Sequence, residues 1–274
     1  MTKDFKLLYQ PLVTVIVAVL NSSATLQRCI DSVVNQSYPH MELILIDGGS
    51  TDGSVDIIKH NSKKIAFWQS KPDRGIYHAW NKALNHARGE WISFVGADDF
   101  FASANSIKSM LYSAHSSEIN FISAKGVLVD KSGRKIRVFG KAWEWKSAKR
   151  RHCICHPGSL YHQSLFERFG RFSEDYRIVG DKEFDLRAGS SIKALFIDKV
   201  TICVGEGGLS RNNAFRTIIE TIEIQSNHKE IGKITAVANG IAYLFEYLIY
   251  RLLKIVGLEN KIRSLLVKIG LLNR

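Results

Sequence analysis

The first hundred residues of this 274-residue chain predict an α/β fold: a mostly parallel, doubly wound sheet flanked by helices, with a helical extension at the C-terminus. Three observations carry that expectation. Leu12 to Leu20, LVTVIVAVL, is a β-branched apolar run between Pro11 and Asn21, the pattern of a strand buried on both faces. Ser23 to Gln36 then repeats Leu26, Cys29, Ile30, Val33 and Val34 at helical spacing. The alternation continues to residue 95, and strands alternating with helices close into a parallel sheet.

The second strand is Glu42 to Ile46, and it runs into Asp47 and the loop GGSTDGS. A short helix from about Gly53 to Lys59 follows. Ile65 to Gln69 reads as a third strand, Ile76 to Ala87 as a second long helix, and Trp91 to Val95 as a fourth strand entering GADDFF. Beyond it, Asn120 to Val129 and Lys135 to Phe139 flank an Asp-Lys-Ser-Gly turn, a hairpin signal. Lys141 to Arg151, KAWEWKSAKRR, is either a loop over an anionic ligand or a solvated face. His162 to Phe169 reads as a short helix and Ala194 to Val204 as one more strand. Asn212 to Ile231 and most of Ile234 to Val256 are helical by period.

Composition narrows the class. With 45% hydrophobic residues the chain can bury a full core as one domain with an appendage. Four Pro and no low-complexity tract argue against a long disordered linker. Four cysteines, Cys29, Cys153, Cys155 and Cys203, are too few for a disulfide framework and imply a reducing compartment. The N-terminus, with Asp4 and no apolar core, does not read as a signal peptide, so a cytoplasmic location is expected. A net charge of +12 points to an anionic partner: nucleic acid, a membrane surface or a phosphorylated substrate.

Two acidic loops carry the chemistry. In an α/β sheet, ligands bind beyond the carboxyl ends of the strands. Asp47 stands there, suited to accept hydrogen bonds from a base or ribose, or else to cap the next helix. Asp98 and Asp99 follow the fourth strand at the same edge. Hard cations such as Mg²⁺ or Mn²⁺ take carboxylate oxygens and share their sites with phosphates. Asp99 is also expected to cap the helix that follows.

At this point the residues resemble a family. VTVIVAVLN (13–21), LILIDGGSTDGS (43–54), KPDRGIYHAWNKAL (71–84) and GEWISFVGADD (89–99) are similar, in order, to family 2 glycosyltransferases of the GT-A fold. HPGSLYHQSLFERFGRF (156–172) and YRIVGDKEFDLR (176–187) continue the pattern, and the likeness extends over about Pro11 to Ser210. It is strongest to bacterial enzymes that build surface polysaccharides and O-antigens. The resemblance implies a Rossmann-like catalytic domain over 1–211, with 11–100 the nucleotide-sugar half and 101–211 the acceptor half, followed by a helical extension over 212–274. It implies an inverting transfer from a nucleotide-sugar donor to a saccharide or lipid-linked acceptor hydroxyl, dependent on a divalent cation, Mn²⁺ or Mg²⁺. Ala18, Val19 and Asn21 would frame the base, with Asp47 bonding it. Asp73 and the Gly75 turn would lie near the donor, with Asn81 supporting that turn. Asp98 matches the metal ligand and Asp181 the catalytic base, with Glu183 the fallback. His156 would touch the diphosphate or acceptor, and Arg211, beyond the donor-closing loop Gly207 to Ser210, could meet phosphate.

Departures from the pattern are equally definite. Gly96 stands where the metal motif often begins with Asp, His78 where many relatives carry Asp, and AVLN where PxYN is common. His152 to His156, HCICH, lacks the second half of a zinc site, so core cysteines are expected there. Ile234 to Val256 is interrupted by Asn239, Glu246, Arg251 and Lys254 and is too polar to span a bilayer. It suits an amphipathic helix on an anionic membrane surface, or one packed on the domain or on a dimer partner. A nucleotidyltransferase would carry a Lys- or Arg-bearing Gly-rich loop after the first strand, where this chain has AVLNSSATLQR. A nucleic-acid partner is not expected, since it would need a basic face with aromatic stacking residues and KAWEWKSAKRR alone is thin support for one. A non-catalytic sugar-nucleotide module remains the other alternative.

Overall fold

The structure, a computed structural model, describes residues 10–114, 116–151, 153–208 and 213–255. The expected α/β architecture is present. Strands β1 (Val13–Val19), β2 (Met41–Asp47), β3 (Phe67–Ser70) and β4 (Trp91–Gly96) pair in parallel in the order β3-β2-β1-β4. Their connections are the helices α1 (Ser23–Val34), α2 (Ser54–His60) and α3 (Ile76–Leu84).

β1 shows why the sheet is buried on both faces. Val13, Val15 and Val17 enter a core with Leu26 and Ile30 of α1, whereas Ile16 enters a second core with Trp80 of α3. Successive strand residues point to opposite faces, so a continuous apolar run requires helices on both. Register aligns Val19 with Asp47, Asp47 with Ser70, and Ala18 with Gly96, which brings the ends of all four strands to one edge.

Beyond β4 come β5 (Phe100–Phe101), α4 (Ser106–Ser113), β6 (Phe121–Val129), β7 (Lys135–Phe139), α5 (Trp145–Ala148), β8 (Leu160–His162), α6 (Gln163–Phe169), α7 (Gly180–Ala188) and β9 (Ala194–Gly205). β8 inserts antiparallel between β4 and β6, and β9 pairs parallel with β6. β9 therefore runs in the direction of β4, and its end at Gly205 reaches the same edge. β6 and β7 form the expected hairpin. Two short strands were not foreseen: β5, and β8, whose last residue His162 caps α6 through Nδ1, accepting from the Ser164 N–H at 3.2 Å.

Two helices close the described chain, α8 (Ala214–Asn227) and α9 (Lys233–Ile255). The basic, aromatic segment around α5 is not a bare solvated face, since the chain of these helices docks on it. Lys149 pairs with Glu230 at 3.0 Å, Arg151 with Glu246 at 2.6 Å, and Gln225 donates to the Arg150 carbonyl at 3.3 Å. Two of the polar residues that interrupt the apolar run of α9 face inward, Asn239 bonding Gln225 and Glu246 bonding Arg151, whereas Arg251 is exposed. The outward face carries Ile234, Val237, Ile241, Phe245, Leu248 and Leu252, all exposed. No described helix is long and apolar enough to cross a membrane.

Candidate active site

The loops at the carboxyl edge are organised by carboxylates, and each carboxylate has a distinct task. Asp47 is fully buried. Its Oδ2 accepts the N–H groups of Gly49 and Ser50 at 3.0 Å and the Ser70 hydroxyl at 2.6 Å, while its Oδ1 accepts the Ser50 hydroxyl. Four donors saturate the group, so it shapes the loop from within. It does not cap α2; that is done by Asp52, which accepts from Ser54 N at 3.0 Å and from Ser23 N at 2.8 Å. The bond from the Ser54 hydroxyl first, then that from the Ser23 N–H, hold the Asp52 pKa well below the usual range.

Asn21 ties the first loop to the second. It adopts φ +47°, its Oδ1 accepts the Thr51 N–H at 2.9 Å, and its own N–H donates to the Ser50 hydroxyl at 2.8 Å. Ala18 is half-buried and Val19 buried, with the Val19 carbonyl accepting from Gly48 N at 2.9 Å. Across this loop, Asp73 leans over Gly48, where a Cβ would lie 2.7 Å from Asp73 Oδ2. Asp73 is half-buried and accepts the Gly75 N–H at 2.8 Å, so the carboxylate presented at this mouth is Asp73. His78 keeps an acceptor where relatives carry Asp, its Nδ1 taking the Arg74 N–H at 3.0 Å.

The Asn81 side chain is bonded to Phe172 N, to Phe172 O and to Glu174 Oε1, at 3.2, 2.9 and 3.0 Å. It fastens α3 to the 172–174 segment, and Glu174, which accepts from Arg74 through its other oxygen, links it to the turn before Gly75.

The Asp98–Asp99 pair is divided in function. Asp99, 4% exposed, accepts the Gly96 N–H through Oδ2 at 2.9 Å and the Gly205 N–H through Oδ1 at 3.0 Å. It joins the ends of β4 and β9 and caps no helix, contrary to expectation, because α4 begins only at Ser106. Asp98 is half-buried, and its carboxylate accepts no hydrogen bond from a described residue. It rests on Gly205, where any Cβ would overlap Oδ2, and 3.3 Å from the corresponding position of Gly207. Gly96 has no room for a longer side chain either, since its Cβ would fall 2.9 Å from Asp99 Oδ2 and 3.0 Å from Asp98 Oδ1. Among the described residues no cluster of three His, Cys, Asp or Glu side chains could hold a metal alone. One accessible carboxylate nonetheless suits a Mg²⁺-like ion that keeps waters and takes its other oxygens from substrate phosphates.

Asp181 is the second residue of α7 and half-buried, its Oδ1 2.9 Å from the Tyr77 hydroxyl. Burial first, then the charge of Asp181, raise the Tyr77 pKa well above its ordinary value, so the hydroxyl keeps its proton. Burial lowers the pKa of the adjacent Lys182, with Asp181 acting in the opposite sense. Glu183 is paired with Arg187, at 2.9 and 2.8 Å. His156 is 7% exposed and stacked on Trp80 within an aromatic cluster. Arg211 and the loop residues 209–210 lie outside the described residues.

This sheet, with acidic loops gathered at its carboxyl edge, defines a GT-A glycosyltransferase fold. S. aureus TarS superposes with a TM-score of 0.65 at 18% identity, over 86% of this chain and 72% of that one. The mannosyltransferase PcManGT from Pyrobaculum calidifontis, in complex with GDP-Man and Mn²⁺, gives 0.61 at 17% identity, over 94% and 81%. A PGL/p-HBAD biosynthesis glycosyltransferase of Mycobacterium tuberculosis is 29% identical over 184 residues, 66% of this chain and 71% of that protein. An uncharacterised glycosyltransferase of the same species is 32% identical over 201 residues, 71% of this chain and 73% of its own. Residues 14–170 match Glycosyl transferase family 2, and the chain belongs to that family.

Proposed function

We propose that the protein is an inverting glycosyltransferase that moves a hexosyl or N-acetylhexosaminyl group from a nucleotide-sugar donor to an acceptor hydroxyl, in the assembly of a bacterial surface polysaccharide. The observation that carries this reading is the division of labour among the carboxylates. Asp47 and Asp99 are consumed by the loops they hold, and Glu183 by Arg187, whereas Asp98 offers its oxygens at the donor edge. The donors bound in the structural relatives, UDP-GlcNAc in TarS and GDP-Man in PcManGT, support a nucleoside-diphosphate sugar as substrate class.

In this reading Asp73 and the Ala18 to Asn21 loop receive the nucleoside, and Asp98 would hold a divalent cation, Mn²⁺ or Mg²⁺. Such a cation would supply positive charge to the leaving nucleoside diphosphate. Asp181 accepts the proton of the acceptor hydroxyl as that oxygen attacks the anomeric carbon. The Tyr77 hydroxyl, 2.9 Å from Asp181 Oδ1, restrains the carboxylate. A single displacement inverts the anomeric centre, so no enzyme nucleophile is required.

The acceptor is a saccharide, free or lipid-linked. The charge-free outward face of α9 from Ile234 to Ile249, bounded by the exposed Lys233 and Arg251, supports peripheral docking on an anionic cytoplasmic membrane surface. The test of the activity is donor binding and turnover across a panel of nucleotide sugars with Mn²⁺, Mg²⁺ or EDTA. Asp98→Ala should abolish metal-dependent donor binding, and Asp181→Ala should retain binding but lose turnover by about 10²–10⁴-fold. Absence of binding to every donor with either metal would leave a non-catalytic module.

A further inference from the structure

Glu220 lies on α8, in the stretch the sequence assigns to an appendage, and it is 5% exposed. Its carboxylate is aimed at the turn that leads into α7. Oε1 accepts the N–H of Arg177 at 3.2 Å, and Oε2 accepts those of Ile178 at 2.9 Å and Val179 at 3.3 Å. Arg216, one helical turn earlier, donates from Nε to Oε1 at 2.7 Å. Burial favours the neutral acid, but the bonds from Arg216 and from the three backbone groups outweigh it and keep the pKa below the ordinary range. A charged acceptor facing three consecutive N–H groups makes strong, short-range bonds. The three donors are Val179, the N-cap residue of α7, and the two residues before it, so Glu220 fixes the chain as it enters the helix.

Asp181 stands two residues beyond this turn. The same turn is gripped from the opposite side by Tyr77, whose hydroxyl lies 2.7 Å from the Ile178 carbonyl and 2.9 Å from Asp181 Oδ1. Gly180 permits that grip, because a Cβ there would come within 2.8 Å of the Tyr77 ring. The orientation of Asp181 is therefore set by a backbone turn held between a tyrosine of the donor-side helix and a glutamate of the C-terminal helices.

We propose that Glu220 is a positioning residue for Asp181, so that the C-terminal helix pair completes the active site. The inference rests on Asp181 being the base, and its test separates the two. Glu220→Gln, close to isosteric, and Glu220→Ala are compared with Asp181→Asn and wild type for turnover at saturating donor, donor affinity, and amide hydrogen exchange at residues 177–179. Both Glu220 variants should lower kcat on the order of 10- to 100-fold, as a misplaced catalytic group does. Donor Kd should change by less than about threefold, since binding and turnover report different interactions. Exchange protection at 177–179 should fall in both. Turnover unchanged in a folded Glu220→Gln protein, beside an inactive Asp181→Asn, overturns the positioning role and leaves the base assignment intact. Full turnover by Asp181→Asn overturns the base assignment and the positioning role with it. Loss of donor affinity in step with kcat, or unchanged exchange at 177–179, marks Glu220 as merely structural and overturns the proposal.

Discussion

Adjacent aspartates with opposite tasks give the sharpest prediction. Asp99 joins β4 to β9 by accepting two buried N–H groups, from Gly96 and Gly205. Hydrogen bonds to a charged partner contribute about 1.5–3 kcal/mol each. In Asp99→Asn one oxygen can still accept, as a weaker neutral bond, while the amide NH₂ confronts the other N–H. The expected loss is therefore about 2–4 kcal/mol. For a chain of this size each kcal/mol shifts Tm by roughly 2–4 °C, so Asp99→Asn should melt roughly 4–16 °C below wild type. Asp98→Asn removes a carboxylate that no described residue bonds, and such partly exposed changes lie within about 0.5 kcal/mol, a shift under about 2 °C. Thermal unfolding measured alongside Mn²⁺-dependent donor binding separates the two, with Asp98→Asn stable but without the Mn²⁺-dependent part of donor binding. Equal melting of both variants, or an unshifted Asp99→Asn, would refute the division of labour.

Glu42, buried at the opposite edge, bonds Thr14 Oγ1 at 2.6 Å and Arg88 through its N–H, Nε and guanidinium at 2.7–2.9 Å. Burial raises its pKa, but the Thr14 and Arg88 bonds outweigh that and lower it below the ordinary 4.5. A depressed carboxylate pKa stabilises above the unfolded value and loses that contribution as pH falls through the folded one. Glu42→Gln should thus cost about 2–3 kcal/mol at neutral pH, with the gap to wild type closing in urea titrations as the pH drops below 4.5. For the outward face of α9, Ile241→Asp combined with Phe245→Asp should abolish sedimentation with vesicles containing anionic lipid and leave donor binding unchanged. A wild type that ignores such vesicles but dimerises would make the face a contact between copies.

The four parallel strands and their helices were legible because each offers a full hydrophobic period, and β1 reads as doubly buried from LVTVIVAVL alone. β5 and β8, two and three residues long, are shorter than any period and were absorbed into a loop and a helix start. At the site, the acidic residues were visible but not their partners. Asp99 and Gly205 are brought together only by the parallel return of β9, and Asp47 is bonded by its own loop and by Ser70 at the end of β3, an arrangement that residue identity does not announce. Asn81 sits in a motif near the donor turn yet is fastened to Phe172. Glu220 was illegible for another reason: an acidic residue on an amphipathic helix normally reads as a solvated one, and only packing brings it onto 177–179.

The absence of a carboxylate at position 96 has a thermodynamic consequence. A hard divalent cation takes about six oxygen ligands, and Asp98 can supply at most two. The chain cannot add a further Asp at 96 without displacing Asp98 and Asp99, whose oxygens would lie about 3 Å from the new Cβ. In the proposed reading, with no cluster of ligating side chains among the described residues, most ligands would then come from the nucleoside diphosphate and water. Metal and nucleotide should therefore bind as strongly coupled partners, and the coupling must be reciprocal: Mn²⁺ tightens UDP or GDP by the factor by which the nucleotide tightens Mn²⁺. Calorimetric titrations, corrected for the metal–nucleotide complex formed in solution, should give weak Mn²⁺ binding to the protein alone. Adding the nucleotide should tighten it roughly 5- to 150-fold. Asp98→Asn should erase the coupling while leaving the residual nucleotide affinity that Asp73 and the first loop provide. Tight Mn²⁺ binding without nucleotide, indifferent to its addition, would mean that ligands beyond Asp98 hold the ion, and a single-carboxylate site would be wrong.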